Sequence, residues 1–497
     1  MTHRLSKSRF QTGLQCPKAL WLTCNARELA DPVSETQQHI FDTGTKVGEL
    51  ARERFADGVL VSEDHMQSAE ALRSTQRLLE DPPAAIFEAA LEHGGVFVRP
   101  DVLVRVGEGE WDLYEVKSGT RVKPENVTDV AVQTWVLEGA GLRIRRIHLM
   151  HVDNTYVYEG GDYDLDRLFV AEDVTDEARN WMHEVPRRVA DMLAMLEEPV
   201  PDVRIGKQCT TPYTCAFHEH CHAFLPEKAV TKLPRISAQA LDSLLAAGIH
   251  AIADVPSDLP GLTAAQRTVI ETVRTDTACI VGDPGTALRE LAYPVHFLDF
   301  ETIMSALPLY PGTRPWQMVP FQWSDHVLHA DGRLEHREFL SDGAGDPRPE
   351  FIASLLGALG DTGSIVVYSS FENSRLRDLA AAFPEHSVAI GEVQARLFDL
   401  MRTVEAHVRH PDTLGSASIK AVLPALVPDL SYDGLEIGEG GTASLRYLQC
   451  ATGMLAGEEA DRVFAALREY CGLDTMAMVR LYEVLSGEPS SGTAVTG

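Results

Sequence analysis

The sequence has no run of about 18 apolar residues, the length a membrane-spanning helix needs, and its opening stretch MTHRLSKSRF carries no apolar signal core. Neither a membrane span nor secretion is expected, and the cytoplasm is the expected compartment. Basic charge is scarce: 44 Lys and Arg against 73 Asp and Glu leave a net charge of -29. That balance argues against binding nucleic acid by bulk attraction to phosphate. It does not exclude an enzyme that holds divalent cations among carboxylates and meets nucleic acid through them. Cysteine is sparse, eight in 497 residues. A cytoplasmic chain of this length needs no disulfide framework, which leaves metal ligation or burial for its thiols. No P-loop GxxxxGK[ST] and no internal repeat is visible, so no NTPase motor is expected.

What is present is enough chain for two or three domains. The stretch 36–58 reads as a helix interrupted by Gly44 and Gly48 and ending at Gly58. Residues 94–120 alternate apolar and polar on both sides of GEGE, the pattern of a β-hairpin. A helix over 127–142 and a strand over 143–153 follow. Around 226–284 the character changes to short helices about an AAGI turn. This is either an ordinary helical linker or a helix-hairpin-helix-like unit whose glycine turn admits a phosphate. From Tyr293 a second α/β pattern runs to about residue 487, and the Gly, Ser and Thr-rich tail 488–497 is expected to be disordered.

In the hairpin, Glu115 and Lys117 share one face of a strand, with Val116 on the other, and cross-strand pairing brings Asp101 toward them. Two carboxylates and a lysine in that arrangement hold Mg²⁺ or Mn²⁺ and offset charge on a phosphate under attack. An isolated E-x-K is more commonly a surface ion pair. Cys209, Cys215 and Cys221 recur every six residues and, with Cys16 in CPKALWL, make four thiolates. Four is the number that closes an all-cysteine zinc or iron-sulfur site. His218, His220 and His222 are substitute ligands or exposed neighbours, and Cys24, Cys279, Cys450 and Cys471 read as small buried hydrophobes. Farther on, Asp299 and Glu301 share a face at the end of an apolar strand, and Tyr470 lies one helical turn before Asp474.

The stretches RPDVLVR, YEVKSGT and the following helix with Gln133, together with one early and three late cysteines, resemble the RecB-like, iron-sulfur branch of the PD-(D/E)XK nucleases. FLDFET, YSSFE and YCGLDTMAM resemble the tyrosine-containing DEDD exonucleases of the RNase H-like superfamily. Taken whole, the chain resembles a bacterial family that joins the two through a short helical segment. The resemblance implies an α/β chain of four parts. These are a restriction-endonuclease-like PD-(D/E)XK domain with a four-cysteine cluster over 1–228, a linker over 229–288, an RNase H-like domain over 289–487, and the tail.

It further implies a metal-dependent nuclease acting on single strands or ends of DNA. Asp101 and Glu115 would bind Mg²⁺ or Mn²⁺, Lys117 would stabilise the transition state and Gln133 would position substrate. Asp299, Glu301, Glu372 and Asp474 would hold metal at a second site where Tyr470 positions water. The helical histidine of the RecB-like pattern is replaced by Gly48, which leaves Glu49 as the nearest carboxylate there, and Glu372 stands where the DEDD pattern has aspartate. The four cysteines would carry a 4Fe-4S cluster, with zinc as the alternative. Arginines in RIRRIH would touch phosphate. Two other readings stay open: a scaffold or defence-complex subunit with degenerate sites, partnered by a helicase, and a ribonuclease acting through the second half.

Overall fold

The structure, a computed structural model, describes residues 3–64 and 66–487, so the tail expected to be disordered lies outside the described residues. The chain is mixed α/β, with nineteen α-helices and several sheets among the described residues. It divides into two units, Met1–Phe224 with Ala306–Trp316, and Leu225–Ser305 with Gln317–Gly497. The segment 229–288 falls inside the second unit.

The first unit is built on six strands, β1 (Gly58–Leu60), β2 (Ala85–Phe87), β3 (Val102–Gly107), β4 (Glu110–Lys117), β5 (Arg143–Val152) and β6 (Phe169–Asp173), hydrogen-bonded in that order. β3 and β4 form the antiparallel hairpin, turning at Gly109 with φ +67, and β4 runs parallel to β5. A parallel step needs a crossover, and helix α4 (Pro124–Gly139) supplies it. Period two decides what each face of β4 meets. Trp111 and Leu113 point into the main core, and the same face continues into Glu115 and Lys117. Tyr114 and Val116 point to a second apolar cluster with Val47 and Ala51.

Three further helices matter in this unit: α1 (Lys7–Gln15), α2 (Pro17–Asn25) and α3 (Glu35–Arg52). The expected break at Gly44 and Gly48 does not occur, and the helix ends at Arg52, short of Gly58. A single glycine costs about 1 kcal/mol in a helix interior. Burial of Val47 and Ala51 on the inner face, and the Ser34 cap, whose Oγ accepts from Gln37 N at 3.1 Å, outweigh that cost.

In the second unit the segment 226–284 folds as α5 (Ala238–Ala246), a turn at Gly248 with φ +73, and α6 (Ala264–Thr275). A 3₁₀ turn at Ile252–Asp254 separates the helices. The sheet of this unit has strands β7 (Val295–Met304), β8 (Met318–Leu328), β9 (Leu334–Leu340), β10 (Ser364–Val367) and β11 (Leu397–Asp399), in the spatial order β9-β8-β7-β10-β11. The first three are antiparallel, and β10 and β11 run parallel to β7. β7 is apolar on both faces because both are covered. Val295 and Phe297 enter one core and Leu298 and Phe300 another. Helices α7 (Phe371–Ala382), α8 (Ile419–Leu426) and the 29-residue α9 (Glu458–Ser486) complete the frame of the site.

Candidate functional site

Three groups of chemistry-bearing side chains emerge, two in the first unit and one in the second. At the C-terminal end of β4 the Glu115 carboxylate is buried and engaged on both oxygens. Oε1 accepts from Lys117 Nζ at 2.8 Å and Lys7 Nζ at 2.5 Å, and Oε2 accepts from Gln133 Nε2 at 2.9 Å. Lys117 also donates to Asp129 Oδ2 at 2.6 Å, and Gln133 to Asp129 Oδ1 at 3.3 Å. Asp101, just ahead of β3, accepts the Val116 N–H at 2.6 Å. Asp101, Glu115, Lys117 and Gln133 are thus gathered around one strand end.

Two participants went unread in the sequence. Asp129 lies four residues before Gln133 on α4, a same-face spacing that was available as a signal. Lys7 lies 108 residues from Glu115 and carried no local signal. Glu49 does not join this group. It lies two residues from both Val47 and Ala51, so helical geometry sets it on the face opposite those buried residues, and it is exposed.

Burial pushes the Glu115 carboxyl up, but the ammonium groups of Lys117 and Lys7 more than reverse it and hold it well below the usual range. Asp101 is pushed up to about 7 by burial and by the charge on Glu115. Lys117 and Lys7 are both raised: burial opposes their charge, and Asp129, Glu115 and Asp101 outweigh it. The RIRRIH arginines are already engaged. Arg145 pairs with Asp112 at 2.6 Å, Arg146 with Asp173 at 2.5 Å, and Arg143 with Glu110 at 3.9 Å.

The second group is the set of thiols. Cys16, Cys209, Cys215 and Cys221 all line one cavity, together with Phe217 and His218. Cys16 sits in extended backbone between α1 and α2, its N–H closing the last turn of α1 on Thr12 O at 2.8 Å, while Pro17 opens α2. The Cys215 N–H donates to Cys209 O at 2.8 Å, curling the later loop so that its thiols converge. Burial raises Cys209, Cys215 and Cys221, and the charge of neighbouring thiols raises each further. His218 and His222 stack at 3.9 Å. Of the cysteines expected in cores, Cys471 is buried, Cys24 and Cys450 are half-buried, and Cys279 is exposed, because the two-residue strand that carries it has both residues on the surface.

In the second unit Asp299, Glu301 and Asp474 present ligand atoms that all lie within 4.8 Å of one another. β7 supplies the first two and α9 the third. Glu372, in the first turn of α7, is buried beside Asp299, and its Oε2 has no hydrogen-bond partner among the described residues. The sulfur of Cys471 donates toward Asp299 Oδ2 at 3.7 Å. Tyr470 hydrogen-bonds Asp474, and the structure adds Tyr432, whose hydroxyl donates to Asp474 Oδ1. Lys420 stands over both rings, 5.4 Å from Tyr432 and 5.1 Å from Tyr470. Of the other aspartates near Glu372 in sequence, Asp378 is paired with Arg375 at 3.0 Å on the same helix.

Burial and mutual repulsion push Asp299 and Glu301 well above the carboxylate range. Burial takes Glu372 to about 8 and Asp474 to about 6, the latter eased by hydrogen bonds from Tyr432 and Tyr470 and by Lys420. Hard oxygen donors in this number suit Mg²⁺ or Mn²⁺, and a divalent cation would remove the repulsion that now favours protonation.

A family model described as a domain of unknown function, DUF2779, matches residues 296–418. That span holds Asp299, Glu301 and Glu372 and ends before Lys420, Tyr470 and Asp474. No curated protein matches the sequence. A solved structure titled "Crystal structure of SSO0001" aligns at 15% identity over 45% of this chain and 87% of its own, with a TM-score of 0.21. At that score the likeness carries nothing about fold or function.

Proposed function

We propose that the chain is a metal-dependent nuclease that hydrolyses phosphodiester bonds of DNA, on single strands or ends. The observation that carries this reading is the trio Asp299, Glu301 and Asp474, with ligand atoms within 4.8 Å of one another and the unpartnered Glu372 oxygen beside them. Buried carboxylates that outnumber their cations, here four against Lys420, are costly, and the chemistry that makes such a cluster useful is divalent metal activation of water against phosphate. The strand order β9-β8-β7-β10-β11, with β7 and β10 parallel, supports an RNase H-like second half. There Tyr470 and Tyr432 orient the Asp474 carboxylate or the attacking water. Asp101, Glu115, Lys117 and Gln133 around a hairpin strand and a crossover helix support a PD-(D/E)XK-like first half.

The four thiols fit a metal centre by donor chemistry: all are soft sulfur ligands around one cavity. The arrangement of one early and three late cysteines, which resembles that of the iron-sulfur nucleases, favours an iron-sulfur cluster, with zinc as the alternative. Such a cluster would close a loop of about two hundred residues and couple its loss to unfolding.

The test is degradation of labelled single-stranded DNA by the wild type, Asp299→Ala and Lys117→Ala, with and without Mn²⁺. Metal-dependent cleavage that falls by about 10²–10³-fold in at least one variant is expected. Equal degradation by all three proteins would reject both acidic groups. A wild type that binds DNA but cleaves it under none of the divalent metals would favour the scaffold, and faster loss of a matched RNA would move the substrate to RNA.

A further inference from the structure

Helix α1 carries three polar side chains at four-residue intervals, Lys7, Gln11 and Gln15, and this spacing sets them on one face. Each makes a contact outside the helix. Lys7 Nζ reaches Glu115 Oε1 at 2.5 Å, Gln11 Oε1 accepts from Thr128 Oγ1 of α4 at 3.0 Å, and Gln15 Nε2 donates to Gln208 O and Tyr213 O, both at 2.7 Å. The stripe therefore ties the strand end of the first acidic group to the loop that holds the later cysteines. Ser6 caps the helix start, accepting from Arg9 N at 3.2 Å, and Cys16 ends it.

The two ammonium groups on Glu115 are not equivalent. Lys117 is spent on two carboxylates, Glu115 and Asp129, which leaves one N–H. Among the described residues Lys7 has Glu115 alone as a hydrogen-bond partner, so two N–H donors remain, while the two lysine side chains are about equally exposed, 29% for Lys7 and 26% for Lys117. Charge points the same way. With Asp101 ionised, as a bound cation would make it, Asp101, Glu115 and Asp129 supply three negative charges against two from the lysines. A divalent cation plus one phosphodiester brings the group to neutrality only with both lysines in place.

We propose that Lys7 is a second substrate-contacting lysine of the first acidic site, its ammonium meeting a phosphate oxygen of a DNA single strand beside the scissile bond. This rests on the nuclease reading of that site. Lys117 then organises Glu115 and Asp129, and the Lys7 ammonium, with two N–H donors to spare, meets the strand.

The experiment measures binding of a fluorescein-labelled single-stranded DNA oligonucleotide to the full chain in Ca²⁺ across a salt series, for wild type, Lys7→Gln and Lys7→Arg, with cleavage in Mn²⁺ measured alongside. Melting temperatures confirm that each variant folds. Loss of one phosphate contact lowers the slope of log K against log salt by about 0.7. The expected result is that smaller slope for Lys7→Gln, binding weaker by about tenfold at low salt, and a return toward wild type in Lys7→Arg. A Lys7→Gln protein with the wild-type slope would overturn the proposal even if cleavage were lost, because Lys7 would then be holding Glu115 only. The nuclease reading fails separately, by a wild type that binds the strand and never cleaves it, and in that case the slope still decides Lys7. A wild type that does not bind the strand at all overturns both.

Discussion

The two acidic groups solve the same electrostatic problem in opposite ways. Around Glu115 the protein's own lysines offset most of the carboxylate charge: Lys7 and Lys117 stand within 2.8 Å and Glu115 is held ionised despite burial, although Asp101 is still pushed up to about 7. Around Asp299 the carboxylates face one another, with Lys420 as the nearby cation, and all four are pushed toward protonation. A site that carries its own counter-charge is assembled at neutral pH whether or not a metal arrives. A site that lacks it waits on one. The comparison teaches that a count of acidic residues says little about metal demand until the neighbouring cations are placed.

The contrast predicts opposite signs for the same kind of substitution. Glu115→Gln leaves two partly buried ammonium groups without their shared carboxylate, and should destabilise the folded chain by about 3 kcal/mol, at the low end for a broken buried pair because both lysines reach solvent. Asp299→Asn, which relieves repulsion, should instead raise the melting temperature of protein in EDTA near neutral pH by about 2–4 °C and abolish stabilisation by Mn²⁺. Thermal melts of both variants in EDTA and in Mn²⁺ check this pair, and shifts of the same sign would erase the distinction.

A smaller effect sharpens it through pH. Glu372 at about 8 and Asp474 at about 6 bind protons in the folded chain that the unfolded chain has released. Their contribution to stability is therefore present at low pH and falls as pH rises from about 4 to about 8. Glu115, with its depressed value, contributes the reverse way, in full above the ordinary glutamate range and lost as pH falls through its folded value. Melting temperature in EDTA should thus decline across that window in the wild type and decline less in Glu372→Gln, with the Mn²⁺-induced rise growing as pH increases. A wild-type curve flat over the window would show that the second group is compensated after all.

Much of the frame was legible. The hairpin around Gly109, the crossover helix and the strand after it follow from period-two and period-3.6 patterns within about 60 residues of chain, and so do the shared face of Glu115 and Lys117 and the turn between Tyr470 and Asp474. Local spacing is set by backbone geometry, so sequence carries it directly. The convergence of Cys16 with Cys209, Cys215 and Cys221 on one cavity was read from ligand number, not from pattern, and the paired state of Arg145 and Arg146 was not readable at all. Glu49 shows the limit of borrowed spacing. A motif position on a helix reaches a site only if the helix turns that face toward it, and here Val47 and Ala51 claim the inner face.

By itself, then, the sequence determined which residues share a strand face or a helix turn, that the chain is α/β, and which residue types could bind hard and soft metals. Only the tertiary structure decided which cations stand beside which carboxylates. Lys7 is 108 residues from Glu115, and Tyr432 is 42 residues from Asp474. The reason is physical: periodicity encodes direction within an element, whereas charge compensation depends on distances between elements that meet only when the apolar faces have packed.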